Sequence, residues 1–239
     1  MMANEYKMVL FDLDGTLLPM DMERFIGAYF AGISARMARY GYEPKKLIEA
    51  IWKGTVAMQK NDGGATNEAI FWQTAVACCG EKIKQDEAYF QDFYVEDFDK
   101  VQSSCGYNEE AAKIVRDLKA AGKRVALATN PIFPAIATQK RIRWAGLSVE
   151  EFEHVTTYEN SRYCKPNLEY YQDVLSALGV AAEDCVMVGN DVSEDMVAKR
   201  LGMQVFLLTD CLLNKDGVDI DAYPHGDFSA LRAFLLGEK

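Results

Sequence analysis

Two kinds of apolar spacing divide the chain. Short unbroken apolar runs occur at Met8–Phe11, at 124–128 (RVALA), from Cys185 to Val188 and from Val205 to Leu208. Their length and composition are those of strands covered on both faces of a sheet. Between the first run and the second, every apolar repeat is helical. Phe25, Ala28, Tyr29 and Met37 recur between Asp21 and Tyr40, and Leu47, Ile48, Ile51 and Trp52 between Pro44 and Lys60. Gly63-Gly64 interrupts that pattern. Two further helices are expected there, from Asn67 to Cys79 after a Thr66 or Asn67 cap, and from Asp86 to about Lys100.

After Asn108 the two periods alternate. Asn108 caps an expected helix with Glu109 and Glu110 in its first turn, Ile114, Val115 and Leu118 on one face, and Gly122 at its end. Strand 124–128 follows and runs into Thr129-Asn130. Pro131 then suits the first turn of a helix reaching Trp144 and Gly146. A weaker strand (153–157), a helix (167–178), the strand from Cys185, a helix (193–201) and the strand from Val205 complete the series. Strict alternation predicts an α/β fold, a doubly wound parallel sheet with right-handed crossovers, interrupted by an inserted all-helical lobe.

Composition narrows the partners. Asp and Glu outnumber Lys and Arg 36 to 26, a net charge of −10, which argues against nucleic acid or an anionic membrane as the main partner. Six cysteines show no CxxC spacing and read as reduced thiols. Neither a signal-peptide core nor a run approaching the roughly 20 apolar residues of a membrane span is present. The expectation is a soluble, cytoplasmic protein acting on a small molecule, as a monomer or homodimer.

In a parallel sheet, ligands bind beyond the carboxyl ends of the strands. Asp12, Thr129 and Asp191 all stand at or just past the ends of apolar runs. Asp12 and Asp14 are two apart, so in extended backbone they share a face, and Gly15-Thr16 supplies a tight turn after them. Thr129-Asn130 reads as a helix cap or as an anion site, and Lys165, in YCKPN, most simply as a solvated lysine. Asp191 and Asp195, four apart in VGNDVSEDM, fall on one face of a first helical turn.

FDLDGTLL (residues 11–18), Thr129, Lys165 and the Asp191/Asp195 pair resemble, in order, the four motifs of the haloacid dehalogenase superfamily, phosphatase type and similar to phosphoglycolate phosphatases. The resemblance covers residues 7–18 and roughly 108–208. It implies a Rossmann-like catalytic core of residues 1–18 and 105–239, with a helical cap domain over residues 19–104. It also implies an Mg2+-dependent phosphatase acting on a small phosphorylated metabolite. In that scheme Asp12 is the nucleophile, forming an aspartyl-phosphate, and Asp14 is the general acid and base. Thr129, the Asn130 amide and Lys165 bind the transferring phosphoryl oxygens. The metal set is Asp12, Asp191 and the carbonyl of Asp14, with Asp195 in or just outside the coordination shell.

Charge explains why such a set is needed. A carboxylate meeting a phosphate dianion costs about 4 kcal/mol per unit pair at ~4 Å and an effective dielectric of about 20, so a divalent cation and an ammonium must offset it. For Asp14 to hold a proton near neutrality, neighbouring carboxylates must disfavour its ionised form. The cap aromatics Trp52, Phe71, Trp72, Tyr89 and Phe90 read first as internal packing, and Gly63-Gly64 as a bend facing the site. A phosphomutase and a non-catalytic phosphate-binding homologue share these motifs. A dehalogenase of the superfamily would lack the acid at Asp14.

Overall fold

The four apolar runs become parallel strands. The computed structural model describes residues 6–237. Residues 1–5 and 238–239, which the expected core segments include, lie outside the described residues. β1 (Met8–Phe11) lies between β2 (Arg124–Leu127) and β3 (Cys185–Gly189), with β4 (Gln204–Leu208) outside β3. A two-residue strand not expected from the sequence, β5 (His225–Gly226), follows, so the order is β2-β1-β3-β4-β5, all parallel.

The helices in chain order are α1 (Met22–Ala38), α2 (Pro44–Gln59), α3 (Asn67–Cys79), the short α4 (Lys82–Gln85) and α5 (Glu87–Asp92), α6 (Glu109–Ala120), α7 (Ala135–Trp144), α8 (Leu168–Leu178) and α9 (Phe228–Leu236). Asp21, Thr66 and Asn108 cap α1, α3 and α6 by accepting from Arg24, Ala69 and Glu110 N–H groups at 3.1, 3.3 and 3.0 Å. Along β1, Val9 and Phe11 enter the core shared with α6 and α9, whereas Met8 and Leu10 enter the opposite core with Tyr170 and Val174 of α8. Both faces are therefore dry, which is why the strand shows no polar alternation.

Four expected elements differ. The helix expected from Asp86 to about Lys100 is broken into α5, a π-helical turn (Phe93–Asp97) and a 3-10 stretch (Phe98–Ser104), and the separate α4 precedes it. Phe93 and Phe98 are five apart and both fully buried in the same core, which the wider π turn permits and a 3.6-residue helix would not. Strand 153–157 reduces to one bridge, Leu127 to Val155, because the chain turns away at Thr157, whose N–H goes to Asn160 Oδ1 at 2.8 Å. The helix expected from Pro131 starts at Ala135, and that expected over 193–201 is a run of turns followed by a 3-10 segment (Met196–Leu201).

The helical lobe seats on the 131–144 segment. Phe25 and Tyr29 of α1 meet the Phe133 ring edge-on at 5.9 and 5.3 Å between centroids, and Phe98 lies 5.1 Å from Trp144. Polar contacts reinforce the seat: Asn67 Nδ2 donates to the Pro131 carbonyl at 3.1 Å, and the buried Lys140 ammonium donates to Val95 O at 2.7 Å and Asp99 Oδ2 at 2.6 Å. All six cysteines are free.

Candidate active site

Beyond the carboxyl edge of β1, β2 and β3 the chain forms one cleft of about 910 Å³, lined by Asp12, Asp14, Thr129, Asn130, Asp191 and Asp195 among others. Asp12 extends β1, its N–H donating to Val188 O of β3 at 2.9 Å. The turn after it brings Gly15 against Asn190: at φ +88 a Cβ there would lie 2.3 Å from Asn190 Nδ2, so only glycine fits. That close approach lets Thr16 Oγ1 reach Asn190 Oδ1 at 3.0 Å and Asp12 Oδ2 at 3.3 Å, while Asn190 Nδ2 donates to Cys211 O at 2.7 Å. Neither Thr16 nor Asn190 was singled out from sequence, where Gly15-Thr16 reads as turn chemistry alone.

Lys165 is the hub. Its ammonium, almost fully buried, donates to Asp12 Oδ1 at 2.9 Å and Asp195 Oδ1 at 2.6 Å. Burial opposes its charge, but the two carboxylates more than offset this and hold its pKa well above the usual lysine value. Burial lifts the Asp195 carboxyl above the ordinary range, with the Lys165 ammonium pulling against it. Asp195 Oδ2 accepts from the Asp191 N–H at 3.0 Å, so both of its oxygens are engaged by the protein. Gly189 makes this possible, since a Cβ there would meet the Asp195 carboxyl carbon at 2.1 Å. Asp191 Oδ1 accepts from Ser193 N and Oγ at 2.8 and 2.7 Å and from Glu194 N at 3.0 Å, which leaves Oδ2 without a partner among the described residues.

Asp14 has a different partner from Asp12. Its Oδ2 accepts from Nη1 of Arg141, a fully buried arginine that also donates to Thr138 Oγ1 at 3.2 Å and lies 4.6 Å over the Phe133 ring. Asp14 Oδ1 is buried with no partner among the described residues. Burial raises the Asp14 pKa most, Arg141 lowers it and Asp12 raises it again, with the net direction upward. The cause differs from the like-charge repulsion expected from sequence: desolvation comes first. Arg141 gave no signal in the sequence, because nothing in its spacing distinguishes it from a surface arginine of a helix.

The phosphate-side residues are rearranged relative to expectation. Since α7 begins at Ala135, Thr129 and Asn130 are not at a helix start, and the Ala135 N–H is already taken by the Glu159 carboxylate at 2.8 Å. Helix-dipole binding of an anion at Thr129-Asn130 is therefore replaced by loop geometry. Thr156 Oγ1 and the Tyr170 hydroxyl clamp the Thr129 carbonyl at 2.6 and 2.9 Å. Asn130 Nδ2 donates to Glu194 Oε2 at 3.0 Å, while Asn130 Oδ1 is buried with no partner among the described residues. Glu194, unassigned from sequence, lines the cleft, and burial raises its pKa to about 7. Gly63 does not line the cleft. It lies against Tyr163 instead.

Among the described residues no three His, Cys, Asp or Glu side chains converge closely enough to hold a metal by themselves. Asp12, Asp191 and the Asp14 carbonyl, which accepts no hydrogen bond from a described residue, form a mixed side-chain and backbone oxygen set. Hard oxygen ligands of this kind suit magnesium. No helix of the described residues is long and apolar enough to cross a membrane.

The comparisons with known proteins agree with this arrangement. A family model described as haloacid dehalogenase-like hydrolase matches residues 6–202. A glyceraldehyde 3-phosphate phosphatase of Methanothermobacter thermautotrophicus is 29% identical over 127 residues, which are 50% of this chain and 54% of the relative, so the chain spans about half the length of that relative. Among solved structures, a 2-haloacid dehalogenase of Pseudomonas syringae pv. Tomato aligns over 97% of this chain and 99% of its own at 19% identity and a TM-score of 0.65. A HAD-hydrolase of Bacillus subtilis, described as bound to magnesium, aligns over 97% and 99% at 15% identity and a TM-score of 0.56. At these identities the structures share a fold with this chain.

Proposed function

Because the chain belongs to the haloacid dehalogenase-like hydrolase family, we propose that it is a magnesium-dependent phosphatase acting on a small phosphate monoester, with Asp12 as the nucleophile. The observation that carries this reading is the unlike treatment of two acids: Asp12 is paired with the Lys165 ammonium, whereas Asp14 keeps one buried, unpartnered oxygen beside Arg141 and has a raised pKa. The aligned dehalogenase is a likeness of fold alone. An acid at position 14 is what a phosphoryl reaction needs and a halide displacement does not.

When bound at Asp12, Asp191 and the Asp14 carbonyl, magnesium supplies positive charge against the phosphoryl oxygens. Asp12 attacks phosphorus and forms an aspartyl-phosphate, while Asp14 delivers its proton to the departing ester oxygen. Asp14, now ionised, takes a proton from water, which hydrolyses the acyl phosphate and restores Asp12. Lys165 holds Asp12 in position and offsets its charge, and Asp195 orients Lys165 and the Asp191 backbone from behind. The Thr129 hydroxyl and the loop N–H groups of Thr129 and Asn130 receive phosphoryl oxygens.

Release of inorganic phosphate from a panel of phosphate monoesters, measured with magnesium and again with chelator, tests this. Release is expected only with magnesium, and Asp12→Asn is expected to lose on the order of 10³-fold or more. Undiminished release by Asp12→Asn would exclude Asp12 as nucleophile. Transfer to a sugar acceptor without free phosphate would indicate a mutase.

A further inference from the structure

Next to the catalytic cleft, between the helical lobe and the loop residues Ile132, Phe133, Pro134 and Tyr158, lies a second, partly open space. The two share a wall formed by residues such as Phe25, Ile26, Trp52, Thr55, Ile132 and Phe133. No Asp, Glu, Lys, Arg or His lines the inner chamber, and most of its lining is aromatic or branched aliphatic. Protein interiors are packed to near-crystalline density, so an apolar opening beside a reaction centre is not ordinary core packing. Trp52 lies at the join of the two spaces with half of its surface exposed, so its ring is not consumed by internal packing. Trp72 and Phe90 also line the chamber but are buried, and Tyr89 stacks on Tyr40 at 3.9 Å, away from it.

Polar capacity in the chamber is small and neutral. The Tyr29 and Tyr94 hydroxyls pair at 2.9 Å, which uses one of their two O–H donors and leaves one for a ligand acceptor. Thr55, Gln91, Tyr158 and the Trp72 Nε1–H, unpartnered among the described residues, add neutral polar groups. No cation among the described residues lines the space, so a second carboxylate would be desolvated here without a counter-charge and several hydroxyls would find few partners for their bonds.

From this we propose that the chamber receives the leaving group of the ester. The substrate class is then the phosphate monoester of an uncharged, largely apolar alcohol, such as an aryl-alkyl alcohol, rather than of an acid or a sugar. The assignment rests on the phosphatase reading above. The phosphoryl group sits over Asp12, the P–O bond to the alcohol breaks, and the alcohol takes the Asp14 proton while it is still held between Phe25, Trp52 and Phe133.

A homologous series of alkyl phosphates, methyl to hexyl, tests it together with benzyl phosphate, 2-phosphoglycolate and glyceraldehyde 3-phosphate, each with magnesium. The simple alkyl leaving groups are of similar basicity, so differences in kcat/KM along the series report the chamber. Burial of about 0.8 kcal/mol per methylene predicts a rise of roughly threefold to fourfold per carbon, on the order of a hundredfold from ethyl to hexyl. Benzyl phosphate should exceed both charged or hydroxylated esters. Trp52→Ala, at a half-exposed position, should lower the hexyl-to-ethyl ratio at least about fivefold. A flat series, an unchanged ratio in Trp52→Ala, or a preference for 2-phosphoglycolate or glyceraldehyde 3-phosphate would overturn the substrate class while leaving the phosphatase reading standing. No phosphate from any ester would overturn both.

Discussion

The catalytic cleft and the lobe chamber share a wall yet are built on opposite principles. In the cleft the central charged groups are tied together: Lys165 to Asp12 and Asp195, Asp195 to the Asp191 backbone, Asp14 to Arg141. These side chains are each held by at least one directional contact, so their geometry is set by hydrogen bonds. In the chamber the contacts are aromatic edges and faces, such as Phe25 on Phe133 at 5.9 Å and Phe71 on Trp72 at 5.3 Å, and nothing charged enforces a position. The cleft is thus suited to one reaction on one group, and the chamber to selecting among leaving groups by shape and area. A change in the first should abolish turnover. A change in the second should alter preference.

The comparison breaks most readily at Lys165. Lys165→Met leaves Asp12 and Asp195 as buried carboxylates without their common counter-ion, which costs about 3–5 kcal/mol of stability when one partner of a buried pair is removed. Denaturant unfolding should show that loss together with absent turnover. A variant as stable as the parent would mean that the cluster is not the tightly coupled unit described here.

A smaller effect sharpens the same contrast. Asp14→Asn keeps the shape but removes the proton carrier, so turnover of a simple alkyl phosphate should fall about 10²- to 10⁴-fold. The hexyl-to-ethyl preference should survive in the residual activity. Loss of the preference along with the rate would show that Asp14 also shapes the chamber.

The smallest effect lies outside both regions. His154, packed beside the edge of β2, has its pKa lowered by burial. The unfolded chain then binds a proton more readily than the folded one, so stability falls as pH drops below the ordinary histidine value of about 6.5. His154→Gln should reduce the stability lost between pH 7 and 5, read from urea midpoints, and leave ester preference unaltered. An identical pH dependence in the variant would remove His154 from the acid response.

How far the chain could be read differs in the same way between the two regions. The strands that carry Asp12, Thr129 and Asp191 were legible because a strand covered on both faces must be a continuous apolar run, and Met8–Phe11 and Cys185–Val188 are such runs. Helix breaks were less legible: the π turn at Phe93–Asp97 exists to place Phe93 and Phe98 in one core, a requirement set by a surface that is distant in sequence. The delayed start of α7 is of the same kind, since the Ala135 N–H finds Glu159, twenty-four residues further on.

Local chemistry, then, determined by itself the four main strands, the first three inserted helices and the acids at the strand ends, because strand burial, helical periodicity and tight turns act over a few neighbouring residues. Only the tertiary structure decided which cation meets which acid, that Arg141 rather than Lys165 holds Asp14, that Thr16 and Asn190 brace Asp12, and that the lobe borders an uncharged chamber. Lys165 with Asp12, Arg141 with Asp14 and Thr16 with Asn190 are each more than a hundred positions apart, and the desolvation that gives each its strength arises once the whole chain has closed around it.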